Sequence, residues 1–256
     1  MSEQIDFEIA ELKQMKQYPE NLFYIGNLDL LKKRKVSIVG TRHPNNYAKK
    51  LTYQIAQELI KKDIVIVSGG AIGVDAIAHQ SAGSENTIAV VANGLDIRYP
   101  KINEKLIKSI EKNGLMLSSY KDKEEARNYT FVQRNEIVVS LGEILIVTQA
   151  DEKSGTLTSI KHALRMGKKV YTIPHHIGDS LGTQKLLDKG LIEPIYDLNS
   201  FIKIFGNKKR KESTVESYLK TQPLYENALK KLGEKLYELE LDGAFSVKNG
   251  YIIPSN

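Results

Sequence analysis

The sequence contains no cysteine. Disulfide bridges and thiolate chemistry are therefore excluded, and a reducing compartment is compatible. No apolar run is long enough to cross a bilayer. The start, Met1 to Glu8, is acidic and lacks the charged-then-apolar pattern of a secretion signal. The expectation is a soluble cytoplasmic protein with no membrane contact. There is no G-K-[S/T], so an ATPase phosphate loop is excluded, and Ser68-Gly69-Gly70-Ala71-Ile72-Gly73 has the wrong spacing for G-x-G-x-x-G. The five histidines are His43, His79, His162, His175 and His176. None has metal-ligand spacing with acids, and no H-E-x-x-H occurs. No Ser-His-Asp arrangement can be read. No metal, cofactor or catalytic residue is expected. His79 lies four residues after Asp75, on one helix face; an Asp that organises the glycine turn is the better reading of that pair than a catalytic dyad.

What is present is an ordinary folded composition. The chain has 256 residues, of which 41% are hydrophobic and 27% charged. That length buries a full core, and one large domain plus a small one is the natural division. The net charge of +6 is uneven. Residues 1–30 carry two lysines against six acids, residues 31–212 carry 30 Lys and Arg against 19 acids, and residues 213–256 carry five against six. The basicity thus lies in the middle. It suits a polyanion partner if the charge gathers on one face, and a solvated lysine-rich surface if it does not.

Around Ile64–Ala78 the chain reads as a buried strand of four β-branched residues, a small-residue turn and a helical run. Glycines there permit close backbone approach, and the helix start offers free N–H groups to an anion. Further strands are expected at Val36–Gly40, Thr87–Ala92, Leu115–Ser118, Glu143–Thr148, Lys169–Ile173 and Ile195–Tyr196. Helices are expected at 5–17, 47–61, 101–112, 131–141, 156–166 and 182–189. Phe23 belongs to a short apolar approach segment, Leu22–Gly26. Continuous apolar strands alternating with helices define an α/β fold, an extended Rossmann-like, mainly parallel sheet with helices on both faces. The expected divisions are an N-terminal helix and approach segment (1–30), the Rossmann-like domain (31–206), a basic linker (207–212) and a small C-terminal domain (213–256). In the last, three short helices and a hairpin with a Lys248-Asn249-Gly250 turn suggest a winged helix. The exposed positions of its third helix, Glu234, Lys235, Glu238 and Glu240, are mostly acidic. Protein contacts or a structural role are therefore expected there rather than phosphate contacts.

Ligands of such sheets bind at the carboxyl ends of the strands. The turns Gly40-Thr41-Arg42, Ser68-Gly69-Gly70, Asn93-Gly94 and Lys153-Ser154-Gly155-Thr156 all fall there. The last combines lysine, hydroxyls and glycine at a helix start, a second anion seat or else a helix cap. Phe131-Val132-Gln133-Arg134-Asn135 sets an aromatic beside a cation, which suits stacking a base and holding its phosphate; Phe131 as a plain hydrophobic anchor is the alternative.

Together these stretches resemble the DNA-processing protein A family (DprA, also Smf). The resemblance runs from about Tyr18 to Gly206. It rests on Y-P-x-x-L at Tyr18–Leu22, S-I-V-G-T-R at Ser37–Arg42, S-G-x-A-x-G-V-D at Ser68–Asp75, Ala78-His79, G-L-D-x-x-Y-P at Gly94–Pro100, F-x-x-R-N at Phe131–Asn135 and S-G-T-L at Ser154–Leu157. It implies a non-catalytic protein that binds single-stranded DNA, with double-stranded DNA held more weakly. It implies too that the protein loads the RecA recombinase during natural transformation and works as a homodimer. The DNA-binding residues it implies are Arg42, Ser68, Gly69, Gly70, Phe131, Arg134, Asn135, Lys153, Ser154, Gly155 and Thr156, with Leu186 and Leu187 at the dimer contact. Val132, Gln133, Glu136 and His175 depart from the family's pattern of proline, a basic residue, arginine and glycine. No separate N-terminal helical domain is expected in the 17 residues ahead of the match. The rival reading is a nucleoside-monophosphate phosphoribohydrolase of the same superfamily. Its P-G-G-x-G-T-x-x-E is not met, because the glycine pair is absent and Ser159 stands where the glutamate belongs.

Overall fold

The computed structural model describes residues 2–206, 214–241 and 243–254. The chain forms two compact units, Met1–Lys209 and Arg210–Asn256. The basic linker expected at 207–212 lies outside the described residues.

In the larger unit the strands are β1 (Glu3–Gln4), β2 (Phe23–Gly26), β3 (Lys35–Val39), β4 (Val65–Ser68), β5 (Thr87–Val91), β6 (Leu115–Ser118), β7 (Leu145–Val147), β8 (Val170–Thr172) and β9 (Glu193–Pro194). They make one sheet in the order β1-β2-β6-β5-β4-β3-β7-β8-β9. From β6 to β9 all pairings are parallel; β2 joins β6 and β1 joins β2 antiparallel. Every residue of β3 to β8 is buried. That is why these strands are mostly apolar and do not alternate with exposed polar residues: helices cover both faces. The helices are α1 (Asn46–Ile60), α2 (Val74–Ala82), α3 (Glu104–Asn113), α4 (Asn128–Leu141), α5 (Thr156–Arg165), α6 (Leu181–Asp188) and α7 (Leu198–Lys203). Alternate strand residues feed opposite layers. Val65 and Val67 join the core with Ile137 and Ile160 of α4 and α5. Ile64 and Ile66 join the core with Ile55 and Ala78 of α1 and α2.

The smaller unit holds α8 (Thr214–Lys220), α9 (Tyr225–Leu232), α10 (Glu234–Leu241) and an antiparallel hairpin of β10 (Phe245–Lys248) and β11 (Tyr251–Pro254). Its core gathers Leu219, Ala228, Leu236, Phe245 and Ile252. Glu234, Lys235, Glu238 and Glu240 are exposed.

The N-terminal helix expected over 5–17 is absent. Only a 3-10 turn, Ala10–Gln14, forms. The apolar face is real: Ile9 and Leu12 are buried, and Ile5 and Met15 pack beside them. The backbone donors go elsewhere. Ile5 N–H donates to the Leu22 carbonyl at 2.8 Å, and Ile9 N–H to the Tyr18 hydroxyl at 2.9 Å. The approach segment is a true strand, β2. The last strand lies at Glu193–Pro194 rather than 195–196, with Ile195 N–H still reaching the Thr172 carbonyl at 2.7 Å. Lys35, last of a basic run, is buried as the first residue of β3, its ammonium held 2.7 Å from Glu11 and 2.6 Å from the Leu31 carbonyl.

Candidate nucleic-acid interface

The strand order reverses at β3, which has β4 on one side and β7 on the other. Open α/β sheets take ligands at such a point, outside the carboxyl ends of the strands. Here the turn after β3 is tied to the turn after β7 through Gln149. Thr41 N–H reaches the Gln149 carbonyl at 2.8 Å, and Asn45 N–H its side-chain oxygen at 2.9 Å. Gly73 lets the same turn lie on the start of α2. Its φ is +81°, and a Cβ there would stand 2.5 Å from the Thr41 carbonyl.

Beside this point lies a cleft lined by Arg42, Gly69, Gly70, Tyr99, Phe131 and Arg134, among others. Its floor is a closed ionic set. Gly69 N–H donates to Asp75 Oδ2 at 3.1 Å. Arg134 Nη1 donates to the Gly69 carbonyl and, at 2.9 Å, to the Val90 carbonyl. Asp75 and Arg134 are 6% and 5% exposed. Burial pushes the Asp75 carboxyl up and the Arg134 guanidinium down, and each charge is the leading influence opposing the other's shift. A side chain at position 69 is excluded, because its Cβ would meet Arg134 Nη1 at 2.5 Å and Asp75 Oδ2 at 2.7 Å. Asn103 fixes the next two residues of the loop, donating to the Gly70 carbonyl at 3.0 Å and the Ala71 carbonyl at 3.2 Å.

Two guanidinium groups approach the half-buried Phe131 ring, Arg42 at 5.6 Å and Arg134 at 5.8 Å from its centroid. Tyr99, half exposed, packs against it with centroids 6.3 Å apart. An aromatic ring with cations beside it suits a planar base and the negative charge of its phosphate together.

The remaining expected site residues divide. Ser68 is fully buried, and its hydroxyl donates to the Ile38 carbonyl at 2.6 Å, so it braces the strand end. Asn135 accepts from Arg134 Nε at 3.0 Å and holds that side chain. Lys153, Ser154, Gly155 and Thr156 do not line the cleft; they form a separate turn at the start of α5. Lys153 is exposed there, nothing lies within 4 Å of a Cβ at Gly155, and Ser154 Oγ accepts from Thr156 N–H at 3.2 Å. Leu186 and Leu187 are half-buried against this chain's own core. Tyr99 and Asn103 were missed as site residues. Tyr99 sits inside the G-L-D-x-x-Y-P run, which was a usable signal; Asn103 carries none. Among the departures, Glu136 has a local explanation. It pairs with Arg165 and accepts from Lys16 N–H at 2.8 Å, clasping the N-terminal segment.

Asp75 and His79 share α2 but serve different partners. His79 is fully buried with Nδ1 2.6 Å from the Thr87 hydroxyl. Burial, with a smaller push from Arg134, holds its pKa down at about 3. The unfolded chain therefore takes up this proton first as pH falls. The stability involved is fully present above about 6.5 and is lost as pH drops from there towards 3. Urea midpoints measured between pH 7 and pH 4 should fall less steeply in His79→Leu than in the wild type; equal slopes would place the decline on other groups.

An open, mainly parallel sheet covered by helices, with an aromatic and cationic cleft at its switch point, defines a Rossmann-like α/β protein. The chain belongs to the DNA recombination-mediator protein A family, whose family model matches residues 6–206. It is 39% identical to the DNA processing protein DprA of Streptococcus pneumoniae and 36% identical to that of Bacillus subtilis, over 184 residues in each case. These alignments cover 70% of this chain and 65% and 62% of the relatives, so the chain spans less than two thirds of their length. DNA processing protein A from Helicobacter pylori, whose structure addresses its single-stranded DNA binding mode, is 36% identical with a TM-score of 0.79. That match covers 82% of this chain and 98% of the other.

Proposed function

We propose that this chain is a non-catalytic, cytoplasmic protein that holds single-stranded DNA along the carboxyl edge of its sheet without reading sequence. In this reading it protects incoming strands during natural transformation and loads RecA onto them, acts as a homodimer, and holds double-stranded DNA more weakly. The observation that carries it is the Phe131 ring in the lining of the cleft, with the Arg42 and Arg134 guanidinium groups 5.6 and 5.8 Å from its centroid. Single strands are held by such stacking platforms joined to cations that follow the backbone. The membership of the family and the single-stranded DNA binding of the Helicobacter pylori relative support it. So does the excess of 11 positive charges in residues 31–212. Among the described residues, no helix is long and apolar enough to cross a membrane. The winged-helix reading of residues 213–256, and a protein partner for that unit, belong to the same proposal; the exposed acids of α10 would repel phosphate.

The test is a salt titration. With Arg42 and Lys153 both on phosphate, log affinity against log salt should fall with a slope of roughly −1.4 or steeper, about −0.7 for each phosphate neutralised. Anisotropy of a labelled oligothymidylate reads it. Binding that ignores salt would remove the backbone from the interface.

A further inference from the structure

The cleft at Phe131 is not the only place where aromatic side chains meet the sheet's carboxyl edge. On the α1 side of the switch point, Tyr47 and His175 stand edge to face, with ring centroids 5.8 Å apart and planes at 80°. Tyr47 lies in the first turn of α1 and is 44% exposed. His175 follows β8. Its ring is locked, since Nε2 donates to the Thr148 carbonyl at 2.7 Å, and its own carbonyl accepts from Gln184 Nε2 at 3.3 Å. Nδ1 is buried with no partner among the described residues. The ring is thus held beside a half-exposed tyrosine, at the edge where ligands of this fold bind.

The turn that carries Arg42 leads directly into α1. Arg42 and Tyr47 are five residues apart, at most about 18 Å along the chain. A single strand leaving the Phe131 ring and crossing Arg42 would reach Tyr47 next. We propose that the Tyr47–His175 pair is a second base-stacking platform, taking a nucleobase of the same strand on the α1 side of the switch point. It rests on the reading of the protein as a single-strand binder. It extends the track across the reversal point rather than along α4 and α5 alone. Bases are the class that fits, because every base offers a flat face to tyrosine and none need be read by hydrogen bonds.

The chain has no tryptophan, so Tyr47→Trp supplies a lone indole. Titrated with an oligothymidylate at low salt, its fluorescence should be quenched with the midpoint seen by anisotropy. Tyr53→Trp, at an exposed position about 9 Å further along α1, should stay bright. Tyr47→Ala should weaken binding about tenfold while keeping the wild-type salt slope. An unquenched Tyr47→Trp, equal quenching at Tyr53→Trp, or wild-type affinity in Tyr47→Ala overturns the platform and leaves the single-strand reading standing. Absence of any anisotropy change with wild-type protein overturns both.

Discussion

Arg134→Met should unfold at a urea concentration 1 M or more below the wild type, the result of losing about 3–5 kcal/mol. The size follows from what is left behind. Asp75 stays buried, its carboxylate held by the Gly69 and Ala71 N–H groups and no longer opposed by the Arg134 charge. The Gly69 and Val90 carbonyls both lose their donor. Adding Asp75→Asn removes the stranded charge, so the double variant should regain much of the loss. Circular dichroism against urea for the two single variants and the double checks this. A double variant no more stable than Arg134→Met would mean that the charge pair is not what the floor of the cleft depends on.

Phe131→Ala should lower affinity for single-stranded DNA by about 5- to 150-fold, the range expected for one stacked base at roughly 1–3 kcal/mol. The slope against salt should not change, because no phosphate contact is removed. Arg42→Ala should do the opposite, with the slope becoming shallower by about 0.7. Phe131→Tyr keeps the stacking face and should bind as the wild type does. Anisotropy at several salt concentrations separates the two effects. If Phe131→Ala flattened the slope and Arg42→Ala did not, the roles of ring and guanidinium would be exchanged.

The parallel strands were legible because burial on both faces leaves few polar positions in them; Ile64 to Val67 is the plainest case. The segment 5–17 was misread for a complementary reason. Side-chain spacing reports which residues face the core, and Ile9 and Leu12 do face it. It does not report where backbone donors go, and those of Ile5 and Ile9 go to Leu22 and Tyr18. The edge strands are two to four residues long, too short to show any period.

In the site, glycines and cations announced the edge, so Arg42, Gly69, Gly70, Phe131 and Arg134 could be named and do line one cleft. Depth was not legible. Arg134 reads as a surface cation beside an aromatic, yet it is 5% exposed and bonded to two carbonyls. Three positions after Phe131 on α4 it turns inward, where a buried aspartate from another element awaits it, and only the fold brings Asp75 there. Ser68 illustrates the converse. A hydroxyl beside two glycines suggests ligand contact, but alternation along β4 points it at the neighbouring strand.

The sheet ends at both margins in strands of two residues, β1 and β9, and β9 closes on Pro194. Proline offers no N–H, and two residues present too little backbone for another chain to copy. If the protein gathers on single-stranded DNA as proposed, longer edges would give the crowded copies a template for fibrous stacking along their own strands. Blunted on both sides, the sheet would leave such copies to meet through side chains, whose contacts can be undone when the strand departs.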